Sequence, residues 1–140
     1  VLLRGLGIKA EQLEALQTRV LTGFKQSLED DAGRWLLSGD HTEAGCEVPL
    51  AGLIDGELVN AVVDRTFVDA EGTRWIIDYK SGQHEGGGLE RYLADQSERY
   101  REQLERYRAL YAGLETRATV TALYLPMHGA LQIVSDERTH

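Results

Sequence analysis

Two apolar segments joined by a tight turn constrain the fold of this chain more than any other feature. Leu58 to Val68 is rich in valine, and Arg74 to Lys80 contains Trp, Ile and Tyr, residue types that favour strands. Between these segments, Asp69-Ala70-Glu71-Gly72 is typical of a turn. We therefore predict a β-hairpin over residues 58–80.

Two helices are predicted before this hairpin. Apolar residues recur at spacings of three and four from about residue 9 to residue 28, which indicates an amphipathic helix. A short helix is predicted from Ala32 to Leu37, with either Asp30 or Asp31 as its N-terminal cap.

A longer helix is predicted after the hairpin, from Gln96 to Ala112. Asp95 and Glu98 resemble a capping box at its start, and Gly113 suits its C-terminal end. Three shorter segments are predicted strands: Cys46 to Leu50, Val120 to Leu125 and Leu131 to Val134.

The predicted order is helices, three strands, a helix and two strands. This order favours an α/β domain, with α+β as the alternative, in which helices flank a central mixed sheet. Residues 1–140 are expected to form one domain, with N-terminal helices in 1–40 and the sheet core in 45–140, including a helix at about 95–113. Because the chain begins with Val, we expect it to be a fragment of a longer protein.

The composition argues against several classes of protein. No segment approaches the roughly 20 apolar residues that span a bilayer, and no signal peptide is visible. The single cysteine, Cys46, cannot form an internal disulfide or supply an iron–sulfur cluster, and we expect it to be buried in a strand of a protein from a reducing compartment. A net charge of -8 argues against a domain that holds DNA by electrostatics alone.

Asp64 and Asp78 interrupt the two strands of the predicted hairpin. Strand side chains alternate between faces, so Asp78 and Lys80 share one face about 7 Å apart, and the hairpin could bring Asp64 opposite Asp78. Two carboxylates on adjacent strands suit Mg²⁺ or Mn²⁺, and the backbone carbonyl of Tyr79 is a candidate ligand. Lys80 would orient the attacking water or stabilise charge on a phosphate, so the predicted chemistry is phosphodiester hydrolysis.

A solvated strand face is the simpler explanation of an Asp-x-Lys pattern taken alone. Here the residues around Asp64 and Asp78 are apolar, and charges in such segments are costly unless they are paired or bind a metal. Other chemistries lack their motifs, because the sequence has no Gly-x-Ser-x-Gly elbow, no zinc-ligand spacing and no phosphate loop ending in Gly-Lys-Ser or Gly-Lys-Thr.

Four short motifs occur in the same order as in one family of nucleases. They are Glu47-Val48-Pro49-Leu50, Val63-Asp64-Arg65, Ile77-Asp78-Tyr79-Lys80-Ser81-Gly82 and Gln103-Leu104-Glu105-Arg106-Tyr107. Over residues 47–107 the chain thus resembles the PD-(D/E)XK nucleases of the RecB type, which are C-terminal domains of bacterial UvrD-like helicase–nucleases. The third motif is similar to the family's Asp-Tyr-Lys-Thr-Gly signature, with Ser81 in place of Thr. The resemblance implies a restriction-endonuclease-like fold.

The resemblance also implies a role for each residue of the metal centre. Asp64 and Asp78 are implied to bind the metal ion, with the backbone carbonyl of Tyr79 as a further ligand. Lys80 is implied to be the catalytic lysine. Glu47 is implied to act near the metal ion through a water molecule, which makes it a fourth candidate catalytic residue.

Ser81, Gln103 and Tyr107 are implied by the resemblance to line the cleft and contact DNA. A plain packing stripe is the alternative for the long helix, because tyrosines recur along it at spacings of three and four. On this ground we assign Tyr100 and Tyr111 to the core. Gln103 and Tyr107 are assigned to the site, because only the motif explains a glutamine in the stripe.

Two features depart from the family's pattern. Val63 precedes Asp64, where the superfamily's name has Pro. RecB-type nucleases usually carry a metal-binding His upstream of the first strand, whereas the first 40 residues contain none. His41 is a weaker candidate for this ligand, and we expect the true one to precede Val1.

The function implied by the resemblance is that of a Mg²⁺-dependent deoxyribonuclease, with exonuclease action favoured, in double-strand break repair and recombination. Mn²⁺ is expected to substitute for Mg²⁺, no iron–sulfur cluster is expected, and ATP is used only by the absent helicase part. The implied partners are DNA and the helicase motor domains of the same chain, and a second subunit of a helicase–nuclease complex is a further candidate. No membrane partner is expected. The expected location is the bacterial cytoplasm, at the nucleoid.

The sequence leaves alternatives to this function. Cleavage polarity and strand preference stay open, as does the choice between exonuclease and endonuclease action. A nuclease-fold module that guides DNA or docks a partner without cutting is the main alternative; loss of Asp78 or Lys80 would mark it, and both are present. An unrelated structural domain with a coincidental motif is the third hypothesis.

Overall fold

The computed structural model of the chain describes residues 30–81 and 88–138. In these residues the elements follow the order α1 (Asp31–Leu36), β1 (Thr42–Ile54), β2 (Glu57–Val68), β3 (Arg74–Tyr79), α2 (Leu89–Ala112), β4 (Thr119–Leu125), a 3₁₀ turn (Pro126–His128) and β5 (Ala130–Asp136). The helix predicted over residues 9–28 lies outside the described residues. Neither described helix combines the length and apolar character that a membrane crossing requires.

The five strands form one sheet in which the spatial order equals the chain order. β1, β2 and β3 pair antiparallel, β3 and β4 pair parallel, and β4 and β5 pair antiparallel. A parallel pair needs a long crossover connection, and α2 is part of that connection. This mixed five-stranded sheet with helices confirms the predicted α/β class.

Each face of the sheet packs against one helix. The core beneath α2 is formed by Leu50, Val63, Ile76, Leu104, Tyr107, Leu110, Tyr111, Leu123 and Leu125. The core on the face that α1 covers is formed by Leu36, Phe67, Trp75, Ile77, Tyr79, Val120, Ala122 and Tyr124. All residues of β3 and β4 are buried, as expected for central strands covered on both faces.

The short helix α1 begins as predicted. Oδ1 of Asp30 accepts a hydrogen bond of 2.6 Å from the N–H of Gly33, which satisfies one of the free donors of the first turn. At the other end of α1, Nε of Arg65 donates to the carbonyl oxygen of Leu36 over 3.0 Å. The side chain of Leu36 is fully buried. Polar bonds at both ends and one apolar anchor therefore fix a helix too short to be stable alone.

The turn of the predicted hairpin is built around Asp69. Its Oδ1 accepts the N–H groups of Glu71 and Thr73, both at 3.0 Å, and its Oδ2 accepts Nε1–H of Trp75 at 2.8 Å. Burial by itself would raise the pKa of Asp69, but these hydrogen bonds favour the ionised form and the pKa lies below its ordinary value. The structure therefore confirms both the predicted turn and the antiparallel pairing of β2 with β3.

The first strand differs from its prediction. The segment Cys46 to Leu50 is only the middle of β1, which continues into a second hairpin with β2. Asp55 and Gly56, with φ values of 51° and 82°, form the turn of this hairpin. An Asp-Gly pair is a strong hairpin signal because both turn residues need positive φ, and this hairpin was not among the predicted elements. Cys46 is exposed, so its predicted burial is wrong.

The start of α2 also differs from its prediction. The helix begins at Leu89 rather than Gln96, and its N-cap is Gly88 with a φ of 85° and no side-chain capping bond. Asp95 therefore lies within the helix, and the predicted capping box is wrong. The predicted end is confirmed, since the N–H of Gly113 bonds to the carbonyl oxygen of Ala109 at 3.3 Å.

Candidate active site

Asp78 lies near the carboxyl end of β3, and its side chain is buried, with 2% of the residue exposed. Lys80 follows the strand directly, and its backbone N–H donates to the carbonyl oxygen of Tyr124 over 2.9 Å. This bond continues the parallel ladder with β4 past the end of β3. Because strand residues alternate, Lys80 shares the α2 face of the sheet with Asp78.

Asp78 and Lys80 form an ion pair. Nζ of Lys80 lies 2.7 Å from Oδ2 of Asp78, but the angles of this contact do not suit a hydrogen bond, and the oxygen accepts none from the residues that the structure describes. The same Nζ lies 3.7 Å from the ring centroid of Tyr100 on α2. The ammonium group at this distance offsets the charge of the carboxylate, and a buried oxygen that accepts no hydrogen bond is available as a donor to an ion or a ligand.

Asp64 lies where the pairing between β2 and β3 stops. The last pair toward this end joins Arg65 and Ile77, and Asp64 and Asp78 are the next residues of the two strands. Oδ2 of Asp64 accepts a hydrogen bond of 2.8 Å from the N–H of Tyr79. The carboxylate of Asp64 is therefore fixed beside the backbone that follows Asp78. This position is close to the one predicted from the hairpin, in which Asp64 lies opposite Asp78.

The regular alternation of β2 is broken around Asp64. Val63 packs in the core beneath α2, whereas Phe67 packs in the core on the α1 face. A regular strand would put these residues, four apart, on the same face. The change of face accompanies the hydrogen bond that the backbone N–H of Tyr79 on β3 donates to Oδ2 of Asp64.

Glu47 lies on β1 opposite Asp64, because its two neighbours in the chain pair with the two neighbours of Asp64. Its φ is 51°, a left-handed conformation that costs a residue with a side chain about 1 kcal/mol or more. Its Oε1 is buried and has no hydrogen bond to the described residues. Glu47, Asp64 and Asp78 therefore form a row across three neighbouring strands, which we call the acidic row.

The acidic row offers the hard oxygen donors that Mg²⁺ and Mn²⁺ prefer. Two of these donors, Oε1 of Glu47 and Oδ2 of Asp78, are buried without hydrogen bonds to the described residues. Across residues 30–81 and 88–138, no three or more His, Cys, Asp or Glu side chains converge into a metal cluster. Mg²⁺ needs no such cage, since it commonly binds through one or two carboxylates and retains water. Asp64 and Asp78 fit a site of this kind.

A cleft of about 430 Å³ opens beside Lys80, between the end of β3 and the N-terminal half of α2. It is lined by Tyr79, Lys80, Ser81, Tyr92, Gln96, Arg99 and Tyr100. The charged residues of this lining are the cations Lys80 and Arg99, although the whole chain has a net charge of -8. Positive charge next to carboxylates that fit a metal ion suits a phosphate group.

A larger cavity, of about 550 Å³, lies farther along α2 and lacks these features. Its charged lining residues are four carboxylates and two guanidinium groups: Asp55, Glu98, Glu102, Glu105, Arg101 and Arg106. This excess of negative charge disfavours a phosphate. The smaller cleft beside Lys80 is therefore the better candidate for the reaction site, despite its size.

Gln103 and Tyr107 bond to each other on α2, where Nε2 of Gln103 donates to the hydroxyl of Tyr107 over 2.6 Å. Tyr107 is 7% exposed and packs in the core beneath the helix. Neither Gln103 nor Tyr107 lines the cleft, whereas Ser81 does. Contact of Gln103, Tyr107 and Ser81 with DNA stays a prediction.

The N-terminal half of α2 contributes cleft residues that were not predicted to belong to the site. Tyr111 is buried in the core as predicted, and Tyr100 packs against the same core. The ring of Tyr100 also lines the cleft, beside Gln96 and Arg99. The available signal was Gln96, which, like Gln103, is a polar residue among the tyrosines of the stripe and indicates a face that is only partly buried.

His41 lies on the other face of the sheet. Its ring stacks on Phe67 with a centroid distance of 3.9 Å, and its Nε2 is 2.7 Å from the carbonyl oxygen of Trp35. Phe67 belongs to the α1 core, whereas Asp78 and Lys80 face α2. His41 therefore packs in an aromatic cluster away from the acidic row.

The comparisons with known proteins agree with this geometry. A model of the PD-(D/E)XK nuclease superfamily matches residues 5–139. A search of curated proteins finds no match. The match covers nearly the whole chain and includes the acidic row, Lys80 and α2, and the mixed five-stranded sheet with helices is consistent with a restriction-endonuclease-like fold. Nucleases of this superfamily typically use divalent metal ions, and the chain belongs to the PD-(D/E)XK nuclease superfamily.

Proposed function

We propose that this chain is the nuclease domain of a RecB-type helicase–nuclease, and that it hydrolyses DNA phosphodiester bonds with Mg²⁺ during double-strand break repair and recombination. The observation that carries the proposal is the juxtaposition of Asp64, Asp78 and Lys80 beside a cleft whose charged lining residues are cations. The signature Asp78-Tyr79-Lys80-Ser81-Gly82 supports the RecB type.

The proposed roles follow from the position of each side chain. Asp64 and Asp78 hold the metal ion, which, when bound, polarises the phosphate and lowers the pKa of a water ligand. Lys80 stabilises the negative charge that develops on the phosphate. The guanidinium group of Arg99 and the hydroxyl of Ser81 bind and orient the phosphate from the opening of the cleft. Glu47, at the far end of the acidic row, orients water.

The net charge of -8 bears on the proposed partners. A chain with this charge has little general attraction for DNA, so we propose that helicase motor domains of the same chain deliver the strand to the cleft. A second subunit of a helicase–nuclease complex would contribute further DNA contacts. The proposed location is the bacterial cytoplasm, at the nucleoid.

The proposal is tested by incubating the purified chain with linear DNA and with closed circular DNA, each single-stranded and duplex, in Mg²⁺, Mn²⁺ or EDTA. We expect cleavage of linear DNA in either metal and none in EDTA. Resistance of the circles would establish exonuclease action, and their cleavage would establish endonuclease action instead. A folded chain that binds DNA but cuts no form in either metal would contradict the proposal and favour a non-cutting module.

A further inference from the structure

Tyr100 provides the ammonium group of Lys80 with a second partner. Nζ of Lys80 lies 3.7 Å from the ring centroid, well within the roughly 6 Å at which a cation is attracted to the face of a tyrosine. The same Nζ is 2.7 Å from Asp78, and the Lys80 side chain is only 16% exposed. The ammonium group therefore lies between a carboxylate and an aromatic ring at the edge of the cleft.

The ring of Tyr100 is well fixed for this contact. Tyr100 lies in the middle of α2, is partly buried, and packs against the core that contains Leu104, its neighbour one turn farther along the helix. A lysine side chain has four rotatable bonds and loses its orientation easily, whereas a tyrosine ring attached to a packed helix does not. The ring can therefore restrict the lysine.

The contact gains importance from the chemistry proposed for Asp78. A carboxylate that binds a divalent cation is a weaker partner for Lys80, because the metal ion repels the ammonium group. The negative face of the Tyr100 ring would still attract the ammonium group. Arg99 lies over the same ring at 5.5 Å, so the ring orders two positive charges of the cleft.

We infer that Tyr100 is a positioning residue, whose ring face holds the ammonium group of Lys80 at the cleft. Its effect on the reaction rate rests on the proposed function, but the contact itself does not. The two parts are therefore tested separately, one by a spectroscopic signal of Lys80 and one by kinetics.

The contact is tested by NMR of the chain labelled with ¹³C at the lysine ε position. The chain has three lysines, Lys9, Lys25 and Lys80, so the spectrum is simple to assign with Lys80→Arg. We expect a ring-current shift of the Lys80 ε protons to high field in the wild type and in Tyr100→Phe, and loss of this shift in Tyr100→Leu. Tyr92→Leu is the matched control, since Tyr92 lines the same cleft and should leave the shift unchanged. A shift that persists in Tyr100→Leu would overturn the inference.

The effect on catalysis is tested by comparing the same variants in DNA cleavage. Tyr100→Leu is expected to lower kcat about tenfold with KM within about twofold, the size expected for loss of one partly shielded cation–π contact. Tyr100→Phe should retain most of the activity, because the ring is the part that acts. A loss in Tyr100→Phe equal to that in Tyr100→Leu, or a loss confined to KM, would overturn the positioning role. An inactive wild type with the NMR shift present would contradict the proposed function and leave the contact standing.

Discussion

Replacing Asp78 with Asn is expected to lower the rate of metal-dependent DNA cleavage by about a thousandfold or more. The substitution keeps the size of the side chain but removes the charge that is proposed to hold the metal ion. It also removes the ion pair with Lys80, whose Nζ lies 2.7 Å from the carboxylate. Both losses act on the transition state, so kcat should fall rather than KM alone. Initial rates on an end-labelled single strand in Mg²⁺ measure the effect.

Folding should survive this substitution. Asp64 and Glu47 are the acidic neighbours of Asp78 in the row, so removing its negative charge relieves a repulsion that offsets the loss of the ion pair with Lys80. The ammonium group of Lys80 keeps the ring of Tyr100 and lies at the edge of the cleft, so we expect Asp78→Asn to melt close to the wild-type temperature. Asp95→Asn, on the exposed surface of α2, is the matched control and should cleave DNA normally. Undiminished cleavage in Asp78→Asn would remove Asp78 from the reaction.

Replacing Arg74 with Met is expected to lower the free energy of unfolding by about 3 kcal/mol. Nε and Nη2 of Arg74 donate to the two carboxylate oxygens of Glu115, over 3.1 and 2.8 Å, and the residue is 4% exposed. The guanidinium group also lies 4.6 Å from the ring centroid of Tyr111. Burial alone would lower the pKa of Arg74, but the bonds to Glu115 keep it above its ordinary value, so the group is charged at any ordinary pH.

The loss of stability follows from the carboxylate left behind. Without Arg74, the mostly buried Glu115 would retain, among the cations of residues 30–81 and 88–138, the ion pair with Arg117, whose Nε is 3.8 Å away. Urea unfolding followed by circular dichroism measures the change in the free energy of unfolding. Thermal unfolding should show a fall of about 10 °C in the melting temperature. Removing both charges, in Arg74→Met with Glu115→Met, should recover much of the loss. A loss below about 0.5 kcal/mol in the free energy of unfolding of Arg74→Met would mean that the two hydrogen bonds from Arg74 to Glu115 contribute little to stability.

Much of the fold could be predicted because strands and turns leave local signals. The hairpin of β2 and β3 was predictable from its valine-rich strand and from the turn residues around Asp69. The length of β1 was not predictable in the same way, because Gly45, Pro49 and Gly52 are unfavourable in strands and the segment continues through them only by pairing with β2. Tertiary pairing decides such a segment, and composition does not.

The start of α2 shows a different limit. Gly88 caps the helix with backbone geometry and no side-chain bond, which is a weaker signal in the sequence than the pattern of Asp95 and Glu98 within the helix. Because the helix was predicted to start too late, part of the cleft was not predicted: the first turns of α2 place Tyr92 and Gln96 in its lining.

The carboxylates of the candidate site were predictable, but their surroundings were not. Asp64, Asp78 and Lys80 are charged residues in or beside apolar strands, which is a local signal. The bond from the N–H of Tyr79 to Asp64 depends on where the pairing of β2 and β3 stops, and the position of Tyr100 depends on how far α2 extends over the sheet. Both are properties of the packed structure.

The central claim is that the acidic row forms a divalent-cation site through Asp64 and Asp78. Calorimetric titration of Mn²⁺ into the chain tests it most directly, because the result does not depend on DNA or on turnover. We predict saturable binding to the wild type and to Asp95→Asn, with an affinity at least about tenfold weaker in Asp78→Asn. Equal affinity in the wild type and Asp78→Asn would contradict the claim, as would a wild-type chain that binds no Mn²⁺.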